Sequence, residues 1–463
     1  MEKSARILSV GAAADDLEAP GGSRLLELIA KTLVASVAME RSAALVALVL
    51  LGAAAVAADP ESYAGFRVLA VALEDPNGHN ITSKLLPRLR ELGVEDSWGL
   101  DREKMKVALM VAPDKVAAVV AALEDARLPY QELWSDVQQI LDIEARKRAG
   151  MPQIRSELPD GHVTFNRFMR YEEIERYLHR LARDHADLVT LQPLGRSWEG
   201  RAMTGVLVSL GGNKKRPSIL VDAGIHAREW IAPAFTLYLL QQLVEVRENR
   251  HLLEDLDWYV LPMLNPDGYE YSHTTNRMWR KNRSNESDPW CRGVDLNRNF
   301  DFHWNLRGDG AAQACNIDYP GRYAFSELET KNLRDFILNK NKDKSIKLYL
   351  TMHSWGWFIL FPWSYTKEHP SNYDELLSIS KEANKAMVAA GSKHFRVGSP
   401  PDILYAAPGS SMDWVMGVAG VDKAWSLELP GGAGSGFEIE EANIAATVRP
   451  VFEGVKAFAR HAR

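Results

Sequence analysis

The chain has 463 residues, and at about 150 residues per domain that allows two to four domains. Hydrophobic residues make up 46% and charged residues 25%, values that exclude wholesale disorder, collagen-like repeats and coiled coil. A formal charge of −6 argues against a nucleic-acid binder, and two cysteines exclude a disulfide-stapled miniprotein and a cysteine-rich zinc finger.

Residues 1–38 show no sustained period and read as a doubtful upstream extension. Met39-Glu-Arg-Ser then leads into Ala43–Ala58, a stretch without a charge that ends in small residues before Asp59-Pro60. A basic residue, a short apolar run and a small-residue boundary form a secretory signal peptide, here 39–58. The run is short for a membrane span, which needs about 20 residues. A buried alanine-rich helix and a signal anchor are the alternatives. Secretion would place Cys291 and Cys315 in an oxidising compartment, where the two are expected to pair; two free buried thiols are the alternative. Asn80, Asn282 and Asn285 each head a glycosylation sequon, a weak signal alone.

From residue 59 the pattern is alternating. Phe66–Leu73 reads as a strand and Thr82–Leu92 as a helix with leucines at helical spacing. Lys106–Val111 is a second strand, Asp114–Ala126 a second helix and Tyr130–Trp134 a third strand. This order suggests a small open α/β sandwich over 59–155. It closes in Glu144-Ala-Arg-Lys-Arg-Ala-Gly-Met-Pro-Gln-Ile-Arg155, a basic stretch that reads as an exposed linker open to trypsin-like cleavage. An ordinary domain linker is the other reading.

Residues 156–463 alternate strands and helices. Tyr171–His185 has helical spacing, Ser218–Ala223 is a buried strand, and a helix follows to about Val246. Trp258–Met263, Leu348–Met352 and Ala424–Leu429 are further strands, and the last helix covers about Ala442–His461. The pattern indicates one three-layer α/β domain.

Each of the strongest strands runs into polar residues at its C-terminal end, where open α/β sheets build sites. Ser218–Ala223 leads to Gly224-Ile-His226-Ala-Arg228-Glu229-Trp230, and His-x-x-Glu puts two metal ligands on one turn. Leu348–Met352 delivers His353. Two histidines and one carboxylate leave a fourth zinc position for water, as a hydrolase needs; a satisfied core histidine is the bland reading of His353. Ala424–Leu427 delivers Glu428, a carboxylate suited to general-base work beside a metal. Arg277-Met-Trp-Arg280 and Asp295-Leu-Asn297-Arg298 add cations that can stabilise an oxyanion or hold a substrate carboxylate.

The combination resembles the secreted zinc carboxypeptidases of the pancreatic A/B type. His226-Ala-Arg-Glu-Trp, Asn265-Pro-Asp-Gly, Asn276-Arg-Met-Trp-Arg-Lys, Gly293-Val-Asp-Leu-Asn-Arg-Asn, His353-Ser, Tyr405, Ser411-Met-Asp-Trp and Glu428 carry the resemblance, and Leu133-Trp-Ser-Asp-Val-Gln-Gln is similar to the end of the family's activation domain. It implies a three-layer α/β/α catalytic domain (156–463) with a mixed eight-stranded sheet, behind an open-sandwich activation propeptide (59–155). It implies one Zn2+ on His226, Glu229 and His353, with Glu428 as base and Arg280 as oxyanion stabiliser. Asn297, Arg298 and Tyr405 would grip the terminal carboxylate. Arg228 and Ser354 would contact substrate, and Asp295 would orient the first zinc histidine.

In the family a carboxylate at the position of Met412 favours C-terminal Lys and Arg. Here that position is Met412, and Leu360, Ala407 and Ser426 at other pocket positions are not acidic either. A buried cation without a counter-ion is costly, so apolar or aromatic C-terminal residues are the expected preference. Ser364 and Pro400 depart from the glycine-lined pocket pattern. A basic-residue carboxypeptidase and an inactive binding homologue are the competing readings. The resemblance further implies a secreted zymogen, cut by a trypsin-like protease near Arg148 or Arg155, acting as a monomer on peptide C-termini without nucleic acid or membrane.

Overall fold

The computed structural model describes residues 62–72, 89, 92, 94, 96–101, 106–150, 160–212, 215–285, 291–306, 314–432 and 436–462. The upstream extension, the expected signal peptide, the sequon at Asn80, most of the helix expected over Thr82–Leu92, and Arg155 lie outside them.

The first part of the chain builds a four-stranded antiparallel sheet from β1 (Arg67–Ala72), β2 (Asp96–Asp101), β3 (Lys106–Val111) and β4 (Tyr130–Trp134), ordered β2-β3-β1-β4. Helix α1 (Val116–Asp125) precedes β4. Val119 and Leu123 of α1 and Leu69, Val71, Leu109 and Val111 of the sheet are buried in one cluster. Three of the four strands were legible. Asp96-Ser-Trp-Gly-Leu-Asp was not, because an edge strand with charged ends and a central glycine shows no period-2 apolar pattern.

The basic stretch Glu144–Arg155, expected as an exposed linker, is helical as far as Gly150 and lies outside the described residues beyond it. Helix α2 (Val137–Gly150) continues through Arg146, Lys147 and Arg148. Asp136 caps its start, accepting from Gln138 N–H at 3.0 Å, and apart from the terminal Gly150 its sequence Val-Gln-Gln-Ile-Leu-Asp-Ile-Glu-Ala-Arg-Lys-Arg-Ala-Gly consists mostly of strong helix formers. Cleavage after Arg148 therefore requires the last turn of α2 to unwind.

The larger part of the chain lays down α3 (Tyr171–Asp184), β5 (Val189–Arg196), β6 (Ala202–Val208), β7 (Ser218–Ala223), α4 (Ile231–Val244), β8 (Asp257–Leu261) and α5 (Pro266–Thr274). There follow α6 (Leu328–Lys340), β9 (Ile346–Ser354), β10 (Phe358–Leu360), α7 (Tyr373–Ala389), β11 (Arg396–Gly398), α8 (Pro400–Ile403), α9 (Ser411–Gly417), β12 (Ala424–Leu429) and α10 (Ile444–Ala459). Eight strands form one mixed sheet in the order β11-β10-β12-β9-β7-β8-β6-β5. The central pairs β7·β9, β7·β8 and β12·β9 are parallel, and β10·β12 is antiparallel.

Parallel strands covered on both faces read as continuous apolar runs, and all six residues of β7 are buried. Side chains alternate between faces along a strand. Ile219, Val221, Leu348, Leu350, Met352, Trp425, Leu427 and Leu429 face the layer of α3, α4, α7 and α10. Leu220, Ile346, Tyr349 and Ala424 face the layer of α6 and α9. This alternation decides the chemistry, because the polar residues at the strand ends fall on the second face.

The four-stranded unit packs on the larger one through two clusters. Its core residues Leu69, Val107 and Leu109 share a cluster with Phe358, Leu360 and Ile403. Tyr63, Val68, Ala108 and Val137 share another with Met278 and Phe437. A buried polar tie accompanies them: the Tyr63 hydroxyl donates to Asn276 Oδ1 at 2.8 Å.

Candidate metal centre and active site

Strand β7 ends at Gly224, whose φ of +71° turns the chain towards the site; a Cβ there would meet Met263 Sδ at 2.9 Å. The turn that follows holds His226 and Glu229, with Glu229 N–H donating to the His226 carbonyl at 3.4 Å. Their side chains meet: His226 Nδ1 lies 2.8 Å from Glu229 Oε1. Strand β9 brings His353, whose Nδ1 is 3.1 Å from His226 Nδ1 and 3.1 Å from Glu229 Oε2. Ser354 N–H donates to Glu229 Oε2 at 3.2 Å.

All three residues are buried, and their ligand atoms lie within 4.8 Å of one another. Donors around a tetrahedral zinc at about 2.1 Å stand roughly 3.4 Å apart. Two imidazole nitrogens and a carboxylate oxygen at these separations fit such an ion.

Asp295 stands behind His226, accepting at Oδ1 from its Nε2 at 3.1 Å. That contact leaves Nδ1 facing Glu229 and His353. Asp295 also pairs with Arg280, whose Nε donates to Oδ2 at 3.0 Å, while the Arg280 guanidinium reaches Glu229 Oε1 at 3.5 Å. Burial opposes ionisation of Asp295, but Arg280, Arg298 and His226 outweigh it and hold its carboxyl well below the usual range. Burial likewise works against charge on Glu229, and His226 and His353 outweigh it, so its carboxyl titrates lower than usual. Burial, with Arg280 adding to it, pushes His226 down. The shifts on His226 and Glu229 favour the forms that bind a metal, neutral imidazole and ionised carboxylate, whereas His353 is raised, burial being outweighed by Glu229 and the other carboxylates around it.

Glu428 lies in β12 directly beside His353 in the parallel register. Glu428 is partly exposed. Burial pushes its pKa up to about 7, with Glu229 adding to the rise and His353, Arg280 and Arg298 opposing it. A carboxylate so poised accepts and returns a proton near neutral pH.

Asn297 and Arg298 lie in a short 3-10 turn, Leu296–Arg298, capped by Asp295. Asn297 Oδ1 accepts from Ser411 N–H at 2.9 Å, tying this turn to α9. Tyr405, half-buried, contributes to the electrostatic field at Arg280. Arg228 is 2% exposed, with its guanidinium 4.3 Å from the Phe437 ring centroid. Cys291 and Cys315 form the expected disulfide. The Asn282 sequon is not an acceptor in the folded chain. Asn282 is buried and its amide donates to Glu327 and Glu329 at 2.7 and 3.0 Å. Asn285 is exposed.

Met412, Leu360, Ser364 and Ser426 are buried. Asp413 was missed by sequence reasoning, although it adjoins Met412. Its carboxylate accepts from Ser364 N–H at 2.9 and 2.8 Å, Tyr365 N–H at 3.2 Å and the Ser364 hydroxyl at 3.0 Å.

A buried set of two histidines and a carboxylate at the C-terminal ends of central strands, with an acid and an arginine beside it, is the arrangement of a metal-dependent hydrolase. The comparisons agree. The chain matches the zinc carboxypeptidase family over residues 174–454 and the carboxypeptidase activation peptide over residues 82–144. It is 38% identical over 343 residues to zinc carboxypeptidase A 1 of Anopheles gambiae, spanning 73% of this chain and 76% of that one. It is also 38% identical over 291 residues to carboxypeptidase B of Astacus astacus, spanning 62% and 95%. The crystal structure of carboxypeptidase A from Helicoverpa armigera superposes with a TM-score of 0.80 at 28% identity, covering 87% of this chain and 98% of that one. The chain belongs to the zinc carboxypeptidases and carries their activation-peptide region.

Proposed function

We propose that the protein is a secreted zymogen whose mature form, starting near Ser156, removes apolar or aromatic residues from peptide C-termini. The signal peptide is 39–58 and the activation propeptide 59–155, released by a trypsin-like protease. The mature enzyme acts as a monomer. His226, Glu229 and His353 would hold one zinc ion, which would supply Lewis-acid chemistry to the scissile carbonyl and to the attacking water.

The chain's own residues do the rest. Glu428 takes the proton of the attacking water and hands it to the leaving amine nitrogen. Arg280 stabilises the charge that develops on the carbonyl oxygen. Asn297, Arg298 and Tyr405 hold the free carboxylate, which makes the enzyme an exopeptidase, since an internal bond offers Arg298 no anion. Arg228 and Ser354 contact the peptide on the other side of the bond.

The observation that carries the specificity is the state of Met412 and Asp413. Met412 offers no charge, and the neighbouring carboxylate is consumed by two backbone N–H groups and the Ser364 hydroxyl. A C-terminal Lys or Arg would bury its cation without a partner. Hydrolysis of matched peptides ending in Phe and in Arg by the trypsin-treated, zinc-loaded protein tests this. A Phe preference of tenfold or more is expected, and an Arg preference overturns the reading.

A further inference from the structure

His353 presents Nδ1 to Glu229 and His226, so a neutral, ligating His353 must carry its proton on Nε2. That N–H points into the sheet, where an unmet donor is costly. Thr351 Oγ1 lies 3.2 Å from it. Tyr349, Thr351 and His353 occupy alternate positions of β9 and so share one face. Asp222 of β7 pairs with Thr351 in the parallel register. Its carboxylate Oδ2 accepts from the Tyr349 hydroxyl at 2.6 Å, while its buried Oδ1 has no hydrogen-bond partner. Asp222, Tyr349 and Thr351 are all fully buried.

The directions of the bonds follow from the donors available. If Thr351 Oγ1 accepts from His353, its own hydrogen is free to donate, and the Asp222 carboxylate can only accept. The bond then runs from the imidazole N–H to Thr351, and Asp222, opposite Thr351 in the register, is held by the Tyr349 O–H. Asp295 does the same for His226 by direct contact.

We propose that Thr351 is a positioning residue that fixes the tautomer and ring orientation of His353 for metal binding. The proposal rests on the reading of His226, Glu229 and His353 as the metal site. Hydrogen-bond partners behind ligating histidines typically control metal affinity by about 10- to 100-fold.

The test is zinc affinity of the full-length chain, measured by competition with a chromophoric chelator. Native protein and His226→Ala are titrated first. Equal, weak binding by both would reject the metal site itself. Given tight native binding, Thr351→Val, which keeps strand shape and removes the hydroxyl, should weaken zinc about tenfold or more. Thr351→Ser should return affinity to within about threefold of native. The cobalt-substituted Thr351→Val protein should show an altered visible spectrum, which a distant packing defect would not produce. Native affinity in folded Thr351→Val would overturn the proposal. Should Thr351→Val fail to fold, NMR of the histidine ring nitrogens in the native zinc-loaded protein decides: a proton on His353 Nε2 is expected, and its absence overturns the proposal.

Discussion

Glu428 and His353 lie side by side on β12 and β9, paired in parallel register and facing the same side of the sheet. One strand delivers a candidate metal ligand and its neighbour delivers a carboxylate, so their spacing is set by the sheet and not by a loop. Glu428→Gln keeps the shape and loses the base. The rate of C-terminal residue release should fall by about 10²–10⁴, while zinc content after dialysis stays at the native value. Measuring both on the activated protein separates a lost base from a lost metal; undiminished turnover would remove Glu428 from the role.

The pocket prediction is a swap. Met412 is 2% exposed, and Asp413 cannot serve a cationic substrate because backbone N–H groups occupy it. Met412→Asp should raise kcat/KM for a C-terminal Arg peptide tenfold or more and lower it for Phe by a similar factor, since a charge at this depth is tolerated only with its partner present. The ratio of the two values is the readout, and a ratio unchanged from native places the specificity elsewhere.

Much of this site was legible because strand ends concentrate it. Ser218–Ala223, Leu348–Met352 and Ala424–Leu427 are apolar enough to identify, and each points at His226 with Glu229, at His353 or at Glu428. What could not be read was the sideways relation between strands. Nothing local in Tyr349-Leu-Thr351 marks a bond to Asp222, 127 positions away from Tyr349, because register is a property of the assembled sheet. Asp413 was hidden for a related reason: its partners, Ser364 and Tyr365, lie on a distant loop. The continuation of α2 through Arg146, Lys147 and Arg148 is masked in the sequence by the Gly and Pro that follow them, although Lys and Arg are good helix formers.

Tyr63 donates to Asn276 across the contact between the four-stranded unit and the larger one. Tyr63→Phe removes that bond but leaves Asn276 Oδ1 accepting from Met278 N–H at 3.0 Å, so the loss is about 1 kcal/mol. If the four-stranded unit restrains the site, the uncleaved variant should show about fivefold more peptidase activity than the uncleaved native chain. The same variant after trypsin should match native. An uncleaved variant as silent as native would assign the restraint to the apolar contacts of Phe358, Leu360 and Phe437.

Glu329 gives a pH dependence whose sign differs from that of most carboxylates. Burial pushes its pKa from 4.5 up to about 7, and Glu327 adds to the rise, while the Trp198 N–H and the Asn282 amide oppose it. A raised acid keeps its proton in the folded state after the unfolded chain has lost it. Below about pH 4.5 both states are protonated and the group costs nothing. Between there and about pH 7 the unfolded chain is progressively favoured, and above 7 the full penalty, on the order of 3 kcal/mol, is present. Glu329→Gln imitates the protonated acid and still offers an oxygen to Trp198 N–H, which donates to Glu329 at 2.9 Å in the native chain. Thermal unfolding of the two proteins should therefore agree near pH 4.5 and diverge as pH rises, with the variant melting several degrees higher at pH 8. Parallel curves across that range would show that Glu329 is ionised in the folded protein, with Asn282 sufficient to hold it and Glu327 together as anions.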